Sequence, residues 1–236
     1  MMNRGFLYGD GFFETIRIYN GQVPLLHYHI QRIHEGLKIY HLEHSFPIDE
    51  LFIKSLITNE NQIIRVNFFR SGGGKYLPEN NELSFDFTCE QCDLPFFLPT
   101  QLDLESELQK APIQLGQFKL YDQPKPVVNW LTVKSLSSIY YVLAAEFMKK
   151  SEADYLFIKN QDGDICEELI SNILIFDGEN YITPSLSSGG IYGVTLRHII
   201  SNYHFQIIER KINYDDICHA SKIFSLRGTV GITRIK

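Results

Sequence analysis

Three places in this sequence combine residue types that can do chemistry. Lys134 follows the apolar run Trp130-Leu131-Thr132-Val133 and opens a helical pattern. A lysine in a first helical turn meets the positive end of the helix dipole. Burial also weakens its hold on a proton, so such an amine can act as a nucleophile. Glu167 and Glu168 stand side by side, and of two adjacent carboxylates one is expected in solvent. Gly190-Ile191-Tyr192-Gly193-Val194-Thr195 runs directly into a helix with Arg197 in its first turn. Free N–H groups and a hydroxyl at such a turn form a ready anion site. Taken singly, each has a plainer reading: a surface lysine, a solvated carboxylate, an ordinary capped helix.

Other candidate motifs fail on spacing. Gly72-Gly73-Gly74-Lys75 suggests a phosphate loop, but Phe69 stands where a glycine is needed and Tyr76 where a Ser or Thr is needed. Gly189-Gly190-Ile191-Tyr192-Gly193 does not fit a dinucleotide fingerprint. Cys89 and Cys92 form a C-x-x-C, yet no second pair follows to complete a zinc site, and the pair ends a strand-like run rather than opening a helix. Buried or half-buried thiols are expected there. His27, His29, His34, His41 and His44 scatter around one helical period, so hydrogen-bonded or surface histidines are expected and no metal site.

The elements that must position these residues come from periodicity. After Gly11, Phe12, Glu14, Ile16 and Ile18 alternate with Phe13, Thr15, Arg17 and Tyr19, which predicts a strand. Asn20-Gly21 predicts a hairpin with Val23–Leu26 as the return strand. Ile30, Ile33, Leu37 and Tyr40 predict a helix from about 27 to 42, and Ser45-Phe46-Pro47-Ile48-Asp49-Glu50 reads as the start of a second that runs to about Thr58. Strands are predicted at 63–70, 83–89 and 113–120. Tyr121-Asp122-Gln123-Pro124-Lys125-Pro126-Val127, with its two prolines, reads as a linker. Beyond it the pattern predicts helices at 135–150, 194–203 and near 214, with strands at 155–158, 169–176, 205–209 and 223–226. The fold class is therefore mixed α/β in two small domains, 1–120 and 128–236.

Composition agrees. The chain has 236 residues with 28 acidic and 22 basic side chains, a net charge of −6, and 44% hydrophobic residues. That is enough apolar surface for a packed core, and the acidic balance argues against general nucleic-acid binding. No eighteen-residue apolar run predicts a membrane span, and the N-terminus lacks secretory-signal features. A soluble cytoplasmic protein is the expectation.

Six separated segments, in order, resemble the fold-type IV pyridoxal-phosphate enzymes of the class IV aminotransferase family. They are Arg4–Thr15 (the opening strand motif), His29-Ile30-Gln31-Arg32, Lys134-Ser135-Leu136, Gly163–Glu167 with Ser171-Asn172, Thr183-Pro184 with Gly190–Arg197, and Gly228-Thr229-Val230. The resemblance begins at Arg4, without the strand that precedes this motif in the family, so which segment covers that sheet edge is left open. It implies pyridoxal 5′-phosphate as cofactor, with Lys134 forming the Schiff base and Glu167 facing the ring nitrogen. Arg32, the Val194 and Thr195 N–H groups, the Thr195 hydroxyl and Thr229 would hold the phosphate, and Asn172 belongs to the same cofactor set. Arg70-Ser71-Gly72-Gly73-Gly74-Lys75-Tyr76 resembles the substrate-side loop of the 4-amino-4-deoxychorismate lyases, with Lys75 where an arginine is usual. A lysine offers a point charge rather than a fork. Phe13, Arg70, Lys75 and Tyr76 are accordingly the expected substrate contacts. The resemblance implies lyase chemistry on a small-molecule amine, with D-amino or branched-chain transamination as the alternative, a non-catalytic cofactor-binding protein as the third reading, and a homodimer.

Overall fold

The computed structural model describes residues 3–236. Packing divides them into two units: one runs to Leu94 and takes in Val133–Ser138, the other holds Pro95–Thr132 and Ile139–Lys236.

The first unit is an antiparallel sheet of β1 (Gly11–Ile18), β2 (Gln62–Arg70) and β3 (Leu83–Gln91), in that order, with helices α1 (Arg4–Tyr8), α2 (Leu26–Ile39) and α3 (Glu50–Ser55). The alternation read from β1 holds. Phe12, Ile16 and Ile18 join Ile64, Val66 and Phe68 in a core closed by Ile33 and Leu37 of α2 and Ile53 of α3. The helix lies so close to the sheet at Gly36 that a Cβ there would stand 2.5 Å from the Phe12 ring. Arg4–Tyr8 is a short helix capped by the Asn3 side chain, not the start of the strand. Asn20-Gly21 does turn the chain, with Tyr19 and Gln22 exchanging backbone bonds. No return strand follows, because Leu25 takes a left-handed conformation (φ 63°) and α2 begins at once.

The outer edge of β1 is covered by residues that come more than a hundred positions later. Phe13 N–H donates to the Lys134 carbonyl at 2.7 Å, and Leu136 N–H to the Gly11 carbonyl at 3.0 Å. This pairing draws 133–138 into the first unit. It also delays the helix predicted from 135, so that α5 spans Ile139–Lys150.

In the second unit, α4 (Leu104–Leu108) precedes β4 (Phe118–Leu120), and α5 precedes β5 (Tyr155–Lys159), β6 (Ile165–Glu168), β7 (Asn172–Phe176) and β8 (Tyr181–Pro184). Then come α6 (Val194–Tyr203), β9 (Ile207–Arg210), α7 (Tyr214–His219), β10 (Lys222–Arg227) and β11 (Gly231–Arg234). A five-stranded sheet, ordered β11-β10-β7-β8-β9, buries both faces of its inner strands β10, β7 and β8, while the edge strand β9 stays half-exposed. Leu174, Phe224 and Leu226 pack on Leu196 and Ile199 of α6. Ile173, Ile175 and Ile223 pack on the opposite side with Phe157 and Ile165 of the smaller β4-β5-β6 sheet.

The expected linker at 121–127 is instead built into this unit, and the division falls at Leu94–Pro95. Tyr121 N–H bonds the Phe157 carbonyl and Lys125 N–H the Lys159 carbonyl, so the two prolines sit in a segment that runs beside β5. Tyr121 is buried and Lys125 is 0% exposed.

All four cysteines are free. Cys92 and Cys166 are buried, whereas Cys218 and Cys89, the latter on edge strand β3, are exposed. Among the described residues no helix is long and apolar enough to cross a membrane, and no cluster of His, Cys, Asp or Glu is arranged to hold a metal.

Candidate active site

In the first unit, Lys134 is held by its own backbone. Its carbonyl is fixed to β1 by Phe13, the next residue is pinned by a 2.7 Å bond from the Tyr40 hydroxyl to Ser135 Oγ, and Ser135 Oγ also accepts from Ser137 N–H. The lysine is half-buried, with Nζ 5.3 Å from the centre of the half-buried Phe13 ring, which also carries the Arg65 guanidinium at 3.6 Å.

Glu14 lies on the apolar face of β1 with Phe12 and Ile16, and a carboxylate there requires a partner. It has two: Glu14 accepts from Arg32 Nε and Nη2 in a bidentate pair and lies 2.7 Å from His29 Nδ1. Burial alone would raise the Glu14 pKa. The Arg32 charge and the His29 bond outweigh it and bring the carboxyl down to about 2. Arg32 is therefore buried rather than solvent-facing. Its plane is set by Glu14, and its Nη1 edge carries no bond to a described residue.

The substrate-side loop differs from expectation. Arg70 turns inward: Nε donates to Asp10, Nη1 to Asn81 and the His41 carbonyl, and Nη2 to the Tyr40 carbonyl. With those donors committed and 7% exposure, Arg70 is a brace for the loop, not a substrate contact. Arg4, also on Asp10, binds the carbonyls of Gly73, Gly74 and Lys75. Between them the two arginines hold up an exposed tip of Lys75 and Tyr76, the latter packed on Tyr8.

In the second unit, Glu167 and Glu168 are both buried, so neither is the solvated carboxylate expected of the pair. Glu168 is turned to Ser171 Oγ and Ile170 N–H, and burial raises its pKa despite those bonds. Glu167 Oε1 accepts from Lys125 Nζ and from the Tyr141 hydroxyl, each at 2.7 Å, and Oε2 accepts from Ile191 N–H at 2.9 Å. A carboxylate has about four acceptor positions, so Oε2 keeps one more. Neither residue carries a sequence signal for this role: Lys125 lies in the segment expected to be a linker, and Tyr141 falls inside the helix expected over 135–150.

Asn172 is a brace as well. Its amide donates to the Ile191 carbonyl at 2.7 Å and accepts from Gly193 N–H at 3.0 Å, which uses both ends on the turn before α6. A Cβ at Gly193 would stand 2.1 Å from Asn172 Oδ1, so a side chain there would displace the Asn172 amide from the turn. Gly193 caps α6 without a side chain, leaving the first-turn N–H groups of Val194 and Thr195 open. Thr195 Oγ1 is buried and has no partner. Thr229 lies half-buried in the turn joining β10 to β11.

The model of the amino-transferase class IV family matches residues 11–236. This chain belongs to that family. Among the relatives of this class IV protein, an aminodeoxychorismate lyase of Bacillus subtilis is 28% identical over 85% of the chain and 67% of the relative. A D-alanine aminotransferase of Bacillus licheniformis is 25% identical over 94% of the chain and 76% of the relative. An aminotransferase from Brucella abortus, solved with pyridoxal phosphate bound, has the same fold. Its TM-score is 0.78 at 17% identity, over 99% of this chain and 82% of that one. The class IV protein is thus an enzyme of pyridoxal 5′-phosphate. Each unit by itself holds groups of the kinds this cofactor needs: the first an anchored lysine and a guanidinium edge fixed by Glu14, the second an orphaned hydroxyl with open amides suited to a phosphate and a carboxylate with one acceptor position left.

Proposed function

We propose that this enzyme is a 4-amino-4-deoxychorismate lyase, giving 4-aminobenzoate and pyruvate, with Lys134 as its central residue. The anchoring of Lys134 against β1 is the observation that carries the chemistry, since proton transfer requires an amine held within reach of one atom. The Bacillus subtilis relative supports the lyase among the family's reactions.

When bound, pyridoxal phosphate supplies an electron sink for the charge left at the amine-bearing carbon. Lys134 Nζ would hold the cofactor and would be the group that removes the proton from the substrate's amine-bearing carbon. Loss of that proton would aromatise the substrate ring as its C–O bond to the three-carbon side chain breaks, and return of a proton to the methylene carbon of the departing enolate would give pyruvate. Glu167 Oε2 would face the ring nitrogen. The Arg32 Nη1 edge, the Val194 and Thr195 amides, the Thr195 hydroxyl and Thr229 would hold the phosphate. Phe13 gives an apolar wall, and Lys75 and Tyr76 meet the substrate's carboxylates at the exposed rim. A cytoplasmic homodimer belongs to the same reading, and sedimentation of the purified protein tests the dimer.

The deciding experiment is turnover of aminodeoxychorismate, with 4-aminobenzoate and pyruvate expected in equal amounts. No pyruvate, alongside brisk amino transfer from D-amino or branched-chain amino acids to a keto acid, overturns the lyase in favour of a transaminase. That second reading draws on the inward turn of Arg70, which leaves the loop only a lysine for a carboxylate, and on the D-alanine aminotransferase relative. If borohydride fails to fix the cofactor on Lys134, catalysis by Lys134 is excluded.

A further inference from the structure

Lys125 is wholly buried, in a segment without regular secondary structure, and its ammonium reaches Glu167 at 2.7 Å. A lysine taken out of water needs a charge partner, and a bare ion pair returns little stability for that cost. The pair therefore calls for a use beyond folding. Its surroundings are specific. Tyr141 and Tyr140 face it from α5 and Cys166 precedes it on β6. Burial keeps all three protonated and neutral, with the Cys166 thiol pushed up to about 12. Lys125 is thus the cation bonded directly to this carboxylate. Its bond and that of Tyr141 both fall on Oε1, while Oε2 takes only the Ile191 amide.

We propose that Lys125 is a positioning residue for Glu167. It keeps Oε1 occupied and leaves Oε2 for the cofactor's ring nitrogen. Its charge also makes that nitrogen release its proton more readily than a carboxylate alone would allow. The ring is then a moderated electron sink, set by the balance of one anion and one buried cation. This rests on Glu167 being the ring-nitrogen partner, and the test separates the two.

The holoenzyme is reconstituted with pyridoxal phosphate carrying 15N in the ring, and the nitrogen signal is followed from pH 5 to 9. In the unaltered protein the signal moves from its protonated toward its neutral position within that range. In Lys125→Gln, which keeps an N–H donor but removes the charge, the midpoint rises by about two pH units, the size expected for one charge about 6 Å off, across the carboxylate, at an effective dielectric of about 20. Lys125→Arg restores the unaltered midpoint. A merely structural lysine would leave the midpoint unchanged in both variants, and that result overturns the proposal. So does a ring nitrogen that stays protonated across the whole range in the unaltered protein, a result that decides the matter even if Lys125→Gln does not fold. Glu167→Gln is the control. If it leaves the signal unmoved, Glu167 is not the nitrogen's partner and both readings fall. If it moves the signal while the Lys125 variants do not, only the role of Lys125 falls.

Discussion

Each unit of this protein buries one carboxylate against one cation, and the two pairs are built in opposite senses. In the first unit Glu14 is saturated by Arg32 and His29, and the cation keeps an unused edge. In the second, Lys125 and Tyr141 both fall on one oxygen of Glu167, and the anion keeps the unused position. The difference follows from side-chain shape. A guanidinium is a flat fork that can give two bonds to a carboxylate and still present another side, whereas an ammonium is a point charge that covers one oxygen. An arginine pair is suited to displaying a positive edge, and a lysine pair to displaying a negative one.

The largest expected effect comes from removing the amine of the proposed chemistry. Lys134→Ala lowers turnover by about 10²- to 10⁴-fold, the usual range for a positioned acid–base group, and abolishes borohydride trapping of the cofactor, while the melting temperature stays near that of the parent.

Breaking the first pair comes next. Glu14→Gln leaves Arg32 as a buried charge without its counter-ion, and a loss of about 3–5 kcal/mol is expected in urea unfolding, with weaker cofactor binding in a titration. The pH dependence has a definite sign. Because the folded-state pKa of Glu14 is depressed to about 2 from 4.5, its stabilisation is fully present above about 4.5 and is lost as pH falls toward 2. The parent should therefore lose stability over that window, and Glu14→Gln should lose less. Equal losses in both would show that the pair does not hold Glu14 ionised.

Arg70 and Lys75 sharpen the contrast between braces and contacts. Arg70→Ala strips Asp10, Asn81 and two carbonyls of a buried partner and should cost about 2–4 kcal/mol in stability. Lys75→Ala, at an exposed tip, should leave stability within about 0.5 kcal/mol and appear only in KM. A KM effect without destabilisation at Arg70 would reverse this assignment.

The smallest effect is the most diagnostic for the anion turn. Thr195 Oγ1 is buried without a partner, so Thr195→Val should leave the cofactor-free protein as stable as before, or up to about 1 kcal/mol more stable. It should also weaken cofactor binding by about tenfold, a single hydrogen bond to a charged group. Unchanged affinity would remove the hydroxyl from the phosphate site.

Much of this was legible in the residue order. The alternation of β1, the periodicity of α2 and the helix at Val194 are local patterns, and each formed as read. Strands such as Ile165–Glu168 escaped notice because adjacent carboxylates mimic a solvated stretch. Glu14 carried a readable signal, a charge on an otherwise apolar face, and its partner Arg32 sits on the helix that covers that face. Lys125 did not, because Pro-Lys-Pro is locally indistinguishable from a linker.

The sequence by itself determined the family, the order of its segments and which residue types are available for the chemistry, because these depend on identity and spacing along the chain. Only the tertiary structure decided what each charged side chain faces. Arg32, Arg70 and Arg4 are the same residue type, yet one keeps an edge uncommitted and two are spent on carbonyls and Asp10. Asn172 and Thr195 both lie near one turn, yet one is satisfied and the other is not. A side chain's function depends on which of its hydrogen-bonding positions remain unfilled after folding. Those positions are filled by groups tens of residues away, such as the Lys134 carbonyl on β1, which no local pattern specifies.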